Sequence, residues 1–157
     1  MASQLWMLRH GEAVPHDSKP DHDRELTPRG RGQSETAGRA LAALGVEFSA
    51  CYASPKVRAW ETATLACQAL NVDPVREDAL ANGFSRLDAL TLLDAHDGNI
   101  FVVGHAPTFS QVVYDFTGGR VDFKKGGVVA LEARRTAGQL LVMLRPRELE
   151  AIAAAGR

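Results

Sequence analysis

At 157 residues and 45% hydrophobic content, the chain is long enough for one domain with a real core and too short for two, so a single domain spanning 1–157 with one site is expected. A formal net charge of −1 excludes an overall basic field for nucleic acid and leaves any anion affinity to local clusters. No stretch approaches the roughly 18 apolar residues of a membrane span, and Met1 to Leu8 lacks the basic start and apolar core of a secretory signal, so a cytoplasmic protein without a membrane partner is expected.

In chain order, Leu5 to Leu8 is a short unbroken apolar run that reads as a buried parallel strand, and it stops at Arg9-His10. Ala13 to Glu25 is a polar loop. Thr27-Pro28 supplies an N-cap and a proline for the first helical position; Ala37, Ala40, Leu41 and Leu44 then recur at helical spacing up to a stop at Gly45. Phe48 to Ala53 reads as a second strand. Ser54-Pro55 is expected to open a second helix, with Ala59, Ala63, Ala66 and Leu70 on one face. Pro74 to Arg76 is a short strand, and Phe84 to Ala95 a helix without a clean apolar stripe. Ile100 to Val103 is the strongest buried-strand signal; it runs into Gly104-His105, and Pro107 is expected to start a helix carrying Phe109, Val112, Val113 and Phe116. Val128 to Glu132 and Leu140 to Leu144 flank a loop of hairpin length, Arg134 to Gly138, and a short helix from Arg147 to Ala155 closes the chain. Cys51 and Cys67 have neither metal-ligand nor redox-pair spacing and read as buried free thiols.

Three apolar strands thus end in residues able to do chemistry: Arg9-His10, Ser54-Pro55 with Arg58, and Gly104-His105. In an open parallel sheet the carboxyl ends of the strands share one edge, where crossover loops form a ligand crevice. A guanidinium grips phosphate oxygens in a bidentate manner, and a neutral imidazole nitrogen can attack a phosphorus held there. Taken singly, each of these residues is ordinary: a surface arginine, a turn histidine, a core histidine. Their recurrence just past three strands is what points to an anion site.

Leu8-Arg9-His10-Gly11-Glu12 resembles the Arg-His-Gly motif of the histidine phosphatase superfamily, the phosphoglycerate-mutase-like proteins. Ser54 to Ala63 and Val103-Gly104-His105 resemble that family's second and third segments, and Leu26-Thr27-Pro28-Arg29-Gly30 resembles its first helix start. The resemblance implies a three-layer α/β/α sandwich with a mostly parallel central sheet and an antiparallel C-terminal strand. It also implies a phosphatase whose nucleophile is His10, with Arg9, Arg58 and His105 completing the phosphate pocket, and no metal or other cofactor. The compact length is most similar to the SixA-type phosphohistidine phosphatases, which implies a phosphorylated protein as substrate. A small phosphorylated molecule, or a phosphate-binding module without turnover, stands as the alternative.

The general acid departs from the family pattern. Where many relatives carry a glutamate before a leucine, Ala79 precedes Leu80, and the nearby carboxylates are Glu77 and Asp78. Asp21 and Asp23 in the polar loop are the other candidates; Asp21 resembles an aspartate of SixA-type sequences. The same loop holds His16, Asp17 and His22, donors enough for a metal site as a second alternative. Lys124-Lys125 reads as a solvated turn or a docking patch for an acidic protein.

Overall fold

The computed structural model describes residues 3–156; Met1, Ala2 and Arg157, which the expected domain and leader readings include, lie outside the described residues. Six strands form one sheet: β1 (Ser3–Arg9), β2 (Ala50–Ala53), β3 (Pro74–Arg76), β4 (Ile100–Gly104), β5 (Val128–Ala133) and β6 (Gly138–Leu144). Their order is β3-β2-β4-β1-β5-β6. β1, β2, β3 and β4 pair in parallel, while β5 pairs antiparallel with both β1 and β6. β5 is therefore the one strand that runs against the rest, as expected for a mostly parallel sheet with an antiparallel addition near the C-terminus.

Five helices cover the sheet: α1 (Pro28–Ala43), α2 (Val57–Cys67), α3 (Arg86–Asp94), α4 (Thr108–Thr117) and α5 (Pro146–Ala155). Alternation along the strands divides the core into two layers. Trp6, Leu8, Phe101 and Val103 pack on α1, α2 and α5, while Leu5, Met7, Ile100 and Val102 pack on α3 and α4. Burial on both faces is why β1 and β4 read as continuous apolar runs. Each large side chain removed from water there, such as Phe101 or Leu5, contributes roughly 2 to 3 kcal/mol.

Small residues set how closely the helices approach. Ala37 and Ala40 of α1 face Ala59, Ala63 and Ala66 of α2, and a Cβ on Gly38 would lie 2.2 Å from the Ala66 carbonyl oxygen. Any larger residue at 38 would push α2 outward, and with it the turn that carries Arg58. At the start of α1, Thr27 accepts from the Gly30 N–H (3.1 Å) with Pro28 in the first position, as the sequence predicts. At its end, Gly45 adopts φ +75° while Val46 and Gly45 bond back to Leu41 and Ala42, a Schellman stop.

Several boundaries differ from the sequence reading. β2 begins at Ala50 rather than Phe48, because Phe48 stacks on Phe101 (4.9 Å) as a core plug instead of joining the ladder. α2 begins at Val57, not at Ser54-Pro55: the Ser54 side chain caps nothing in the helix and is used elsewhere. Pro107 precedes α4 rather than opening it and follows a cis peptide bond. α5 starts one residue early, at Pro146. The unpatterned helix at 84–95 does form, as α3. Its start is fixed by a capping box, Ser85 with Asp88, rather than by periodicity, and Phe84 packs edge-on against Phe109.

Candidate active site

The ladder itself brings the three strand ends together. Arg9 of β1 is in register with Gly104 of β4, and Ala53 of β2 with Val103. One step further, His10 N–H donates to the Gly104 carbonyl and Ser54 N–H to the Val103 carbonyl, both at 3.0 Å. His10 and His105 therefore emerge side by side, their ring centroids 5.2 Å apart.

His10 is 5% exposed. Its Nδ1 lies 2.8 Å from the Gly11 carbonyl oxygen, which can only accept. The ring proton therefore sits on Nδ1 and the lone pair on Nε2. Burial pulls the imidazole down to about 3; the charges of His105, Arg58 and Arg9 act the same way, against the Gly11 carbonyl. His105 is also held at about 3, first by burial and then by Arg58 and Lys56, so both rings are neutral near pH 7. Ser54 Oγ accepts the Lys56 N–H (3.2 Å) and lies 2.8 Å from His105 Nε2. That bond occupies His105 Nε2 and leaves Nδ1 as the ring nitrogen without a protein partner.

Arg58, 6% exposed, occupies the second position of α2. Its Nη1 donates to the Asp21 carbonyl oxygen (2.8 Å) and its Nη2 to Asp21 Oδ2 (3.3 Å). Arg9 Nη1 donates to the Phe123 carbonyl oxygen at 2.7 Å. Each guanidinium is oriented by the protein yet keeps donors in hand. Among the described residues five buried side-chain nitrogens lack a partner, and three of them are Arg9 Nε, Arg58 Nε and His105 Nδ1. Buried donors are nearly always paired, so unpaired ones gathered on the members of one cluster mark a place built for an acceptor-rich ligand.

A buried polar chain couples the two halves of this cluster. Gly11 N–H donates to Thr62 Oγ1 (3.2 Å), and Thr62 donates to the Arg58 carbonyl (2.7 Å) one turn earlier in α2. Ser34 of α1 joins at 3.3 Å. A Cβ on Gly11 would lie 2.6 Å from the Gly30 carbonyl oxygen, so the turn after His10 rests directly on the start of α1.

Asp21, the favoured acid candidate, does reach the cluster, but as a clamp. Its Oδ2 bonds Lys56 Nζ (3.0 Å) as well as Arg58, and the Lys56 bond, with Arg58, holds the carboxyl at about 2. A carboxyl ionised to that degree has no proton to donate near neutral pH, so the geometry speaks against the acid role read from the sequence. Glu77 follows the end of β3, its N–H donating to the Ala53 carbonyl at 2.9 Å beside the strand end that leads to Ser54, and Asp78 opens the turn after it. Asp23 pairs outward with His22 at 3.5 Å.

The loop donors offered for a metal take other partners. His16 Nδ1 is held by Arg24 (2.7 Å), Asp21 by Arg58 and Lys56, and His22 by Asp23; among the described residues no group of three or more His, Cys, Asp or Glu could hold an ion. Arg24, only 4% exposed and beside Asp21, was not singled out by sequence, nor was Ser54 as the partner of His105. Thr62 alone carried a readable signal, its spacing one turn after Arg58.

An edge of a mostly parallel sheet that presents a neutral, buried histidine among guanidinium donors defines an anion-handling α/β protein. The family model of the histidine phosphatase superfamily, branch 1, matches residues 5–96, and the chain belongs to that superfamily, whose members are phosphatases. It is 31% identical over 140 residues to an uncharacterized protein of Picosynechococcus, covering 83% of this chain and 85% of that one. Among solved structures it is similar to the protein histidine phosphatase SixA complexed with tungstate, with a TM-score of 0.79 at 20% identity over 93% of this chain and 99% of that one. It is also similar to the alpha-ribazole phosphatase of Shigella flexneri, with a TM-score of 0.68 at 21% identity over 92% and 97% of the two chains. No described helix is long and apolar enough to cross a membrane.

Proposed function

We propose that the protein hydrolyses phosphohistidine on a protein partner through a phosphorylated His10. The observation that carries this reading is the Nδ1 contact of His10 with the Gly11 carbonyl, together with the ionised state of Asp21, the carboxyl that bonds Arg58. In the first step the Nε2 lone pair of His10 attacks phosphorus, and the bond to the substrate nitrogen breaks in line. Its electron pair returns to the substrate imidazole, which leaves neutral because its other nitrogen already bears a proton. Arg9, Arg58 and His105 Nδ1 hold the three equatorial oxygens.

His10 then carries phosphorus on Nε2 and a proton on Nδ1, so it is an imidazolium and as good a leaving group as the substrate was. Water attacks phosphorus, inorganic phosphate departs, and His10 returns to its starting tautomer with the Gly11 bond intact throughout. The two half-reactions are chemically alike, and neither asks for a general acid.

An alkyl ester is different, because its alkoxide leaves poorly without a proton from the enzyme. Asp21, ionised by Lys56 and Arg58, offers no such proton, which favours a phosphoramidate over a small phosphomonoester as the preferred substrate. The fold likeness to a protein histidine phosphatase of nearly the same length fits a site that a folded partner can reach. Comparing kcat/KM on a phosphohistidine peptide with that on phosphoserine tests the proposal. A preference of about 100-fold or more for the phosphoramidate is expected; a preference for the ester overturns it.

A further inference from the structure

Beyond Arg9 lies an open groove of about 650 Å³ whose lining includes Arg29, Lys124, Lys125, Arg145 and Arg147. With Arg9 that makes six cations against two carboxylates, Glu12 and Asp122, a local excess of +4 on a chain whose total is −1. Three of the cations are balanced within the chain: Arg29 lies 3.9 Å from Glu12, Lys124 2.7 Å from Asp122 and Arg145 2.8 Å from Glu148. Among the described residues Lys125 and Arg147 have no carboxylate in ion-pair range.

The groove is also tied to the site. Gly126 N–H reaches the carbonyl oxygens of both Arg9 and His10 (3.0 Å each), and the Phe123 carbonyl receives Arg9 Nη1. Lys125 therefore sits on a loop fastened to the backbone of His10 itself. Whatever engages Lys125 is brought close to the reacting nitrogen.

We infer that this groove docks an acidic surface of the protein that bears the phosphorylated histidine, with Lys125 and Arg147 as its principal contacts; this rests on the substrate reading above. A second anionic group of a small substrate fits poorly, since the cations are long, exposed side chains: Arg29 is 75% and Lys124 55% exposed, and such groups seldom hold a small ion. Single-stranded nucleic acid fits poorly too, for the lining contains no aromatic residue on which a base could stack. An acidic protein face matches both the charge and the breadth, and steers encounter without burying the cations.

The test pairs binding with turnover. Anisotropy of a fluorescein-labelled, unphosphorylated Glu/Asp-rich peptide is measured against a Ser/Gly peptide of equal length, and kcat/KM on phosphohistidine peptides with acidic or neutral flanks. Wild type is expected to bind the acidic peptide more tightly, less so at high salt, and to prefer the acidic flanks. The Lys125→Glu/Arg147→Glu double variant should lose about fivefold or more in affinity together with that preference, at unchanged kcat on the neutral-flanked peptide. The Lys125→Gln/Arg147→Gln variant should lose less, and its unchanged thermal midpoint excludes misfolding. Equal binding of the two unphosphorylated peptides by wild type, or an acidic-peptide affinity that the charge reversal leaves intact, overturns the docking surface. If the acidic peptide binds as described but neither phosphohistidine peptide is hydrolysed, docking stands and the phosphohistidine reading falls. If both are hydrolysed equally and the acidic peptide does not bind, docking alone falls. A double variant that loses turnover of phosphoserine while peptide binding is unchanged assigns the groove to small molecules and overturns the inference.

Discussion

The pocket at His10 and the groove beyond Arg9 are both cationic, yet they are built in opposite ways. In the pocket Arg58 is buried and Arg9 half-buried, both oriented by fixed acceptors, the Asp21 and Phe123 carbonyls, and both left with an unpaired Nε. In the groove the charges ride on long exposed side chains and pair with surface carboxylates or face solvent. Burial removes water that would screen the interaction, so few pocket donors hold one dianion in one orientation. Exposure keeps screening high, so groove charges bias approach without fixing geometry.

That contrast is broken most severely at the nucleophile. His10→Ala should lower kcat by about 10⁴-fold or more in a steady-state phosphate-release assay, with an unchanged circular dichroism spectrum. Arg58→Ala should cost roughly 10² to 10³ in kcat/KM, and Arg58→Lys should recover little of it, because one ammonium cannot reproduce the fork that spans Asp21 and the ligand. Asp21→Asn sharpens the account further. As a clamp it should raise KM by about 3- to 10-fold and act alike on good and poor leaving groups. Were Asp21 the acid, only poor leaving groups would suffer.

The pocket's neutrality has its own signature. Both imidazoles titrate at about 3 in the folded protein against an ordinary 6.5, so NMR should show neither His10 nor His105 gaining a proton between pH 8 and pH 5. The sign for stability follows. The unfolded chain binds these protons first, so stability contributed by keeping the rings neutral is full above pH 6.5 and falls as pH drops towards 3. Each ring contributes at most about 1.4 kcal/mol per pH unit, and His10→Gln should flatten the urea-unfolding profile accordingly. The smallest effect belongs to the groove: Arg29→Gln should change turnover of a small phosphate ester by less than about twofold.

Sequence made the strands and the four pocket residues legible because they combine two strong signals, an apolar run and a polar residue just beyond it. Arg9, His10, Arg58 and His105 do lie at one sheet edge. What escaped was set by side-chain bonds that pattern reading does not encode. Ser54 looks like a helix cap in sequence, but its hydroxyl serves His105 and leaves Val57 to start the helix. Asp21 sits in the loop expected to supply an acid, yet Lys56 and Arg58, thirty-five and more residues away, hold it ionised near neutral pH. Of the groove only Lys124-Lys125 was legible; Arg147 joins them because the β5–β6 hairpin returns the chain to where β5 began.

The central claim is that His10 carries the phosphoryl group during turnover. Rapid acid-free quench of the enzyme with ³²P-labelled phosphohistidine peptide, followed by peptide mapping, tests it directly. The account predicts label that is stable in base, labile in acid, located on His10, and absent from the His10→Ala variant. Turnover at full rate without label on His10 would contradict it.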